Sequence, residues 1–201
     1  MNKDFNIVGA GGHAKVIIEI IEEMGGRIQN ITDSNPKVIE LLGYKVTEQC
    51  LYNAPVIVAI GDNKLRKKAV QAIQHEFGKA IHPKANISSR CKILEGTVIM
   101  AGSTINSNAF IGKHCIINTN ASVDHDCKIG DFVHISPNAS LGGNVTVGEG
   151  TQIGIGSSVI QGIQIGKWAT VGAGSVIIKD VPDYAVVVGV PGNIIKFTNP
   201  D

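Results

Sequence analysis

The sequence predicts a two-part chain: a half-Rossmann-like α/β domain over residues 1–80, then a parallel β-helix over 81–182 and a closing segment over 183–201. Three observations predict it. The chain opens on strand, glycine turn and helix; an unbroken six-residue repeat follows. Charged residues make up only 17% of the chain while glycine numbers 24, as expected where inward ladders and tight corners replace amphipathic helices.

Phe5 to Val8 reads as a short apolar strand running into Gly9-Ala10-Gly11-Gly12-His13-Ala14, after which Val16, Ile17, Ile20, Ile21 and Met24 recur at helical spacing. A second strand over 27–32 ends at Asp33. A third, over 56–60, leads into Gly61-Asp62-Asn63, and a basic helix follows from Lys64 to about Phe77. The alternation argues a parallel sheet with crossover helices.

Gly9, Gly11 and Ala14 satisfy the dinucleotide fingerprint, and Asp33 lies near the distance at which an acid meets a ribose. A full dinucleotide domain needs two such halves, and the repeat begins after one. What survives is an anion site, because glycines let the backbone approach closely and the helix start at Gly12 to Ala14 offers free N–H groups. Half a dinucleotide site suits a phosphorylated or nucleotide-bearing small molecule; the plain alternative is a tight strand-to-helix turn. His13 reads as a donor to that ligand or as a helix cap. Asp33 and Gly61 end parallel strands at the carboxyl edge, where ligands of such sheets bind.

From Ile81 to Pro182 there are seventeen hexads, opened by Ile81, Ile87, Ile93 and so on to Val171 and Ile177, with a small or β-branched residue at each fifth place, from Ala85 to Val181. Amphipathic helices repeat at three and four residues, so this period reads as a parallel β-helix. Three hexads make one triangular coil of 18 residues, giving between five and six coils and a prism roughly 27 Å long. No loop interrupts it, so a substrate pocket has to come from the outer walls, the first domain or another copy of the chain. Cys91, Cys115 and Cys127 fall at fifth places and read as small inward pegs, with Cys50 outside the repeat. That removes them as nucleophiles and suits a reduced, cytoplasmic protein.

A net charge of +1 gives no reason to expect nucleic acid or a membrane as partner, and apolar runs are broken by charges such as Glu19. Among the histidines, His75 on the basic helix and His82 at the domain junction suit surface roles. His125 stands between two carboxylates in Val123-Asp124-His125-Asp126-Cys127, the setting of a general base with a fixed tautomer, or else of a solvated corner histidine. His134, half a coil later, lies around the other side of the prism, so the two can share a site only between protomers of a closed ring. Its other reading is an outer-wall residue at an oligomer contact. His114, His125 and His134 share no column, so no metal site is expected.

The stretches GAGGHAKV, AIGDN, VDHDCKIGDFVHISP and VVVGVPGNIIK together resemble the sialic-acid O-acetyltransferase and sugar-nucleotide N-acetyltransferase family of hexapeptide acyltransferases. The likeness covers nearly the whole chain. It implies a left-handed β-helix, a homotrimer, and acetyl-CoA in the groove between prisms. The most similar members acetylate the 4-amino group of a UDP-linked 4-amino-4,6-dideoxy sugar. By this resemblance His125 is the base, Asp126 orients it and His134 meets the acetyl-CoA, while Ile155 and Ala173 contact the cofactor through backbone. Gly11, Gly12, His13, Asp33, Ser34 and Gly61 would hold the sugar nucleotide. Two positions depart from the pattern: Asp126 stands where relatives often carry Glu, leaving Asp124 as the other candidate, and Gly192 stands where Ala is common.

Direct transfer then needs a deprotonated amine and a place for developing negative charge, for which N–H groups near Gly142 and Gly143 are the candidates. CoA leaves as a thiol of pKa about 8.5, so no acyl-enzyme is required. Two other readings share these residues: an O-acetyltransferase of sialic acid or a related sugar, and a non-catalytic nucleotide-sugar-binding trimer.

Overall fold

The computed structural model describes residues 4–49 and 52–198, and Cys50 lies outside them. β1 (Asp4–Val8), α1 (Gly12–Glu23), β2 (Arg27–Thr32), β3 (Glu40–Leu41), β4 (Tyr44–Thr47), β5 (Val56–Val58) and α2 (Asn63–Gln71) make up the first part. The sheet order is β3-β4-β2-β1-β5, parallel except for the β3–β4 hairpin. The hairpin turns on Leu42 and Gly43, both at positive φ.

Three details differ from the sequence reading. Only the β1–β2 connection carries a crossover helix; the chain returns to β4 through the hairpin and reaches β5 without one. On α1 the buried face includes Ala14, Ile17, Ile18, Ile20 and Ile21, leaving Val16 partly in solvent. α2 stops at Gln71 rather than Phe77, because residues 76–78 run extended beside β5: Val56 N–H donates to Glu76 O and Gly78 N–H to Val56 O. β5 likewise ends at Val58, two residues early, and His75 falls beyond the helix.

Seventeen two-residue strands follow, from β6 (Ala80–Ile81) to β22 (Val176–Ile177), and every one ends on a hexad opener. Each pairs in parallel with the strand 18 residues on, so openers stack into three walls. The first wall runs Ile81, Ile99, Ile117, Ile135, Ile153, Val171. Ile87, Ile105, Val123, Leu141, Val159 and Ile177 form the second. Ile93, Ile111, Ile129, Val147 and Ile165 form the third. Fifth-place residues from Thr97 onward are buried with them, which is why only small or β-branched groups occur there. Cys115 and Cys127 are among these pegs, and burial pushes the Cys115 thiol up to about 12.

The corners have their own rule. From Gly96 to Gly174 every fourth place is left-handed, which Gly, Asn and Asp tolerate. His114, Phe132 and Trp168 do not fit that preference, and all three lie on the corner between the third and first walls. The last hexad is cut short. Val181, expected as a fifth-place residue, instead pairs with Ile165, 16 residues before it, and β23 (Ala185–Val188) pairs with Val171 at the same shortened interval. An antiparallel β24 (Asn193–Phe197) finishes that wall.

The first part docks on the outside of the first wall, where Val98, Met100 and Ile116 join its core beside Ala80 and α1. His82, read as a surface residue, is buried here, with Nε2 3.2 Å from a Glu23 carboxylate oxygen. α2 is bolted to the corner between the third and first walls by Arg66, which is 1% exposed. Its Nε donates to His114 O at 2.9 Å and one terminal nitrogen to Phe132 O at 2.9 Å and Asn63 Oδ1 at 2.7 Å. The other donates to Ile60 O at 3.0 Å and Gly61 O at 3.1 Å. Asn63 adds a bond to Gly150 O at 3.0 Å. Arg66→Ala strands these carbonyls and is expected to cost about 3 kcal/mol in denaturant unfolding, with loss of docking visible as new protease sensitivity.

Candidate active site

Gly11 is the N-cap of α1 in extended conformation, and a Cβ built on Gly11 or Gly12 meets nothing within 4 Å. The backbone of the turn therefore faces open space, as anion binding requires. Gly9 is different: its φ is +106° and a Cβ would press on the Ala59 carbonyl at 3.0 Å, so it serves the turn itself. Asp33 braces the same turn, accepting from Ala10 N–H at 2.9 Å through one oxygen and from Asn35 N–H at 2.9 Å through the other. Ser34 beside it is exposed, and the Gly61 carbonyl is held by Arg66.

His13 makes no capping bond. Its Nε2 is buried without a protein partner, and burial first, then the Arg66 charge, brings its pKa down to about 4. His134 follows Ala80, Val98 and Ile116 in the outward column of the first wall, at the point where the docked part ends. Its Nε2 lies 3.0 Å from Asn118 Nδ2. Burial, with the charges of Arg66 and His13, lowers its pKa to about 3. The structure thus brings His13, Arg66 and His134 of one chain together, and both rings are neutral at ordinary pH.

His125 lies elsewhere, on the corner between the second and third walls. Its Nδ1 is 2.8 Å from Asp126 Oδ2, and the exposed ring is held above its usual pKa by that bond and by the Asp124 charge. Asp126 reaches the ring because it occupies a left-handed fourth place, φ +60°, where the short side chain turns back on its neighbour. Asp124 is otherwise engaged: its Oδ1 accepts from His125 N–H and from Asn106 Nδ2, each at 2.7 Å. With Nδ1 facing a carboxylate, Nε2 is left as the outward basic nitrogen. The ring covers Gly143, whose Cβ would come within 2.6 Å of Nε2, above an open hollow of about 420 Å³ lined also by Gly142, Asn144 and Gln161.

Third-place N–H groups point out of the prism. Side-chain oxygens accept those of Lys113, Thr119 and Lys167, whereas those of Gly143, Ile155 and Ala173 donate to no protein acceptor. Gly142 is excluded as an anion donor because its N–H is spent on Val159 O. Ile155 and Ala173 are exposed on the corner between the first and second walls. Among the described residues no three His, Cys, Asp or Glu side chains converge as a metal site, and no helix is long and apolar enough to cross a membrane.

Residues 4–73 match the PglD N-terminal domain, and residues 108–143 and 144–179 match the bacterial transferase hexapeptide (six repeats). A perosamine N-acetyltransferase mutant from Caulobacter crescentus, solved with CoA and GDP-perosamine, is 39% identical with a TM-score of 0.91 over 96% of this chain and 97% of its own. The chain belongs to the family of hexapeptide-repeat sugar acyltransferases with a PglD N-terminal domain. Another structure of this family, the acetyltransferase domain of PglB from Neisseria gonorrhoeae with acetyl coenzyme A, is 32% identical with a TM-score of 0.89, covering 97% of this chain and 100% of that one. The UDP-N-acetylbacillosamine N-acetyltransferase of Bacillus subtilis is 42% identical over 114 residues, 49% of this chain and 52% of that one, so the match spans about half the length of this curated relative.

Arg66 and Asn118 were not foreseen as site residues; the lone arginine of the run Lys64-Leu65-Arg66-Lys67-Lys68, just past the Gly61 rim, was the available signal. Both histidines beside Arg66 have folded pKa values below the unfolded 6.5, so the unfolded chain binds more protons below that value. Their stabilising contribution is whole above pH 6.5 and is lost as pH falls toward 4. Melting temperature is expected to drop across that window, and His134→Gln should flatten the drop; an unchanged pH dependence in that variant would refute the buried neutral state.

Proposed function

We propose that this protein transfers the acetyl group of acetyl-CoA to the 4-amino group of a UDP-linked 4-amino-4,6-dideoxy sugar, by direct attack with His125 as general base. The observation that carries the mechanism is the His125 ring, fixed by Asp126 through Nδ1 and resting over Gly143, whose N–H has no protein acceptor. Nε2 takes the amine proton as nitrogen attacks the thioester carbonyl; the Gly143 N–H holds the developing oxyanion; CoA departs as thiolate. The N–H groups of Ile155 and Ala173 line an edge for the pantetheine. Gly11, Gly12, His13, Asp33, Ser34 and Gly61 hold the sugar nucleotide, the turn's N–H groups facing its phosphates.

His125 and His134 stand on different sides of one prism, which supports a homotrimer whose sites lie between protomers. A neutral His134 can donate to the thioester carbonyl without placing a second cation beside the attacking amine. The relatives bear on the substrate class: the Caulobacter enzyme is described with CoA and GDP-perosamine, and the Bacillus relative by its action on a UDP-linked amino sugar.

His125→Ala is expected to lower kcat by about 10²–10⁴ while CoA and nucleotide-sugar binding persist. CoA release unchanged by that substitution sinks the base assignment, and acetylation of sialic acid in preference to the UDP-4-amino sugar replaces the acceptor. Activity requires neutral His125, so kcat/KM should rise with pH through a value above the ordinary histidine range. Asp126→Asn removes the partner that favours the imidazolium and should move that limb to lower pH. An unmoved limb would assign the orienting role to Asp124.

A further inference from the structure

We propose that the hollow between α2 and the aromatic corner of the prism is a second ligand site, built for a nucleoside phosphate. Its planar ring would lie against Trp168 and Tyr184, and its phosphate against Lys64 and Lys68.

The hollow measures about 370 Å³ and is lined by Lys64, Lys67, Lys68, Gln71, Trp168 and Tyr184. That volume sits at the small end of ligand pockets, the size of a single nucleotide rather than a dinucleotide. The four α2 residues are spaced three, four and seven apart, so one helix face forms one side. Lys67 is already neutralised by Glu149 at 2.5 Å, and its ammonium stands 5.2 Å from the Trp168 ring centre, bracing the aromatic side. Lys64 and Lys68 are exposed, and no carboxylate lines the hollow, so its charge suits an anion.

The opposite side is held in an unusual backbone state. Trp168 has φ +54° and Tyr184 φ +62°, a region uncommon for bulky side chains and costing on the order of 1 kcal/mol or more each. They are consecutive in one corner column, since Tyr184 N–H donates to Lys167 O just as Trp168 N–H donates to Glu149 O. Gly150 precedes them in that column, and a Cβ there would lie 2.4 Å from the Trp168 ring, so the indole occupies space that only glycine leaves. Two strained aromatics over a made-to-fit gap, opposite two lysines, match a flat base carrying a phosphate. The site is on the one corner that the proposed transfer reaction does not use, and it does not rest on that reading.

Trp168 is the single tryptophan of the chain, so its fluorescence reports this hollow directly. The intact protein would be titrated with adenosine 3′,5′-bisphosphate, with UDP, and with inorganic phosphate. The expected result is a saturable change with at least one nucleotide at a Kd below about 1 mM, with no such change from phosphate alone. Lys64→Ala with Lys68→Ala should weaken it by about tenfold or more while the thermal unfolding curve stays in place. Tighter binding of the bisphosphate identifies the nucleotide end of a CoA-type molecule as the source; tighter binding of UDP identifies a free nucleoside diphosphate. No saturable response to either nucleotide, an equal response to phosphate, or a response that survives the double substitution overturns the proposal. Acetyl transfer by the unaltered protein is scored separately, so failure of that activity is not mistaken for failure of this site.

Discussion

A single buried guanidinium fixes how the two parts of this molecule meet. Arg66 has no carboxylate partner; its donors go to the main-chain carbonyls of Ile60 and Gly61 on the rim and of His114 and Phe132 on two successive prism coils, with Asn63 Oδ1 between them. Carbonyl oxygens satisfy its hydrogen bonds without cancelling its charge, and burial pulls its pKa only to about 10. The retained cation then disfavours protonation of His13 and His134 beside it. Docking and the charge state of the cleft therefore come from the same residue.

The site is divided by the geometry of the hexad. Side walls spend their N–H groups on neighbouring coils, so unspent donors occur only at corners, and each corner carries a different task. His125 and Gly143 share one, Ile155 and Ala173 share the next, and α2 caps the third. Gly143 needs no side chain because the His125 ring takes that volume, which makes the glycine part of the histidine's setting.

Much of the fold was legible because the repeat is a strict packing code. Every opener and the buried fifth places announce themselves by size, and the His125–Asp126 contact joins neighbours in sequence. The left-handed fourth place was also written in the chain as Gly and Asn, but His114, Phe132 and Trp168 interrupted it and hid the rule. The docking of the first part was half-visible: Val98, Met100 and Ile116 are apolar where an outer wall should be polar. The role of Arg66 was not, because its acceptors are main-chain carbonyls up to 66 residues away, which carry no sequence signature. The meeting of His13 with His134 was hidden for the same reason, since it depends on where that clamp seats the domain.

The shortened final turn shows what the prism tolerates. Between Ile165 and Val181 the interval drops from 18 residues to 16, and the regular ladder gives way within one further strand to an antiparallel end. Inside the column, length is quantised: whole turns can be gained or lost, each moving everything below by about 4.8 Å along the axis, whereas partial turns terminate it. A lineage varying the reach between the docked domain and the lower corners has only that one increment available, so its members should differ in steps of eighteen residues.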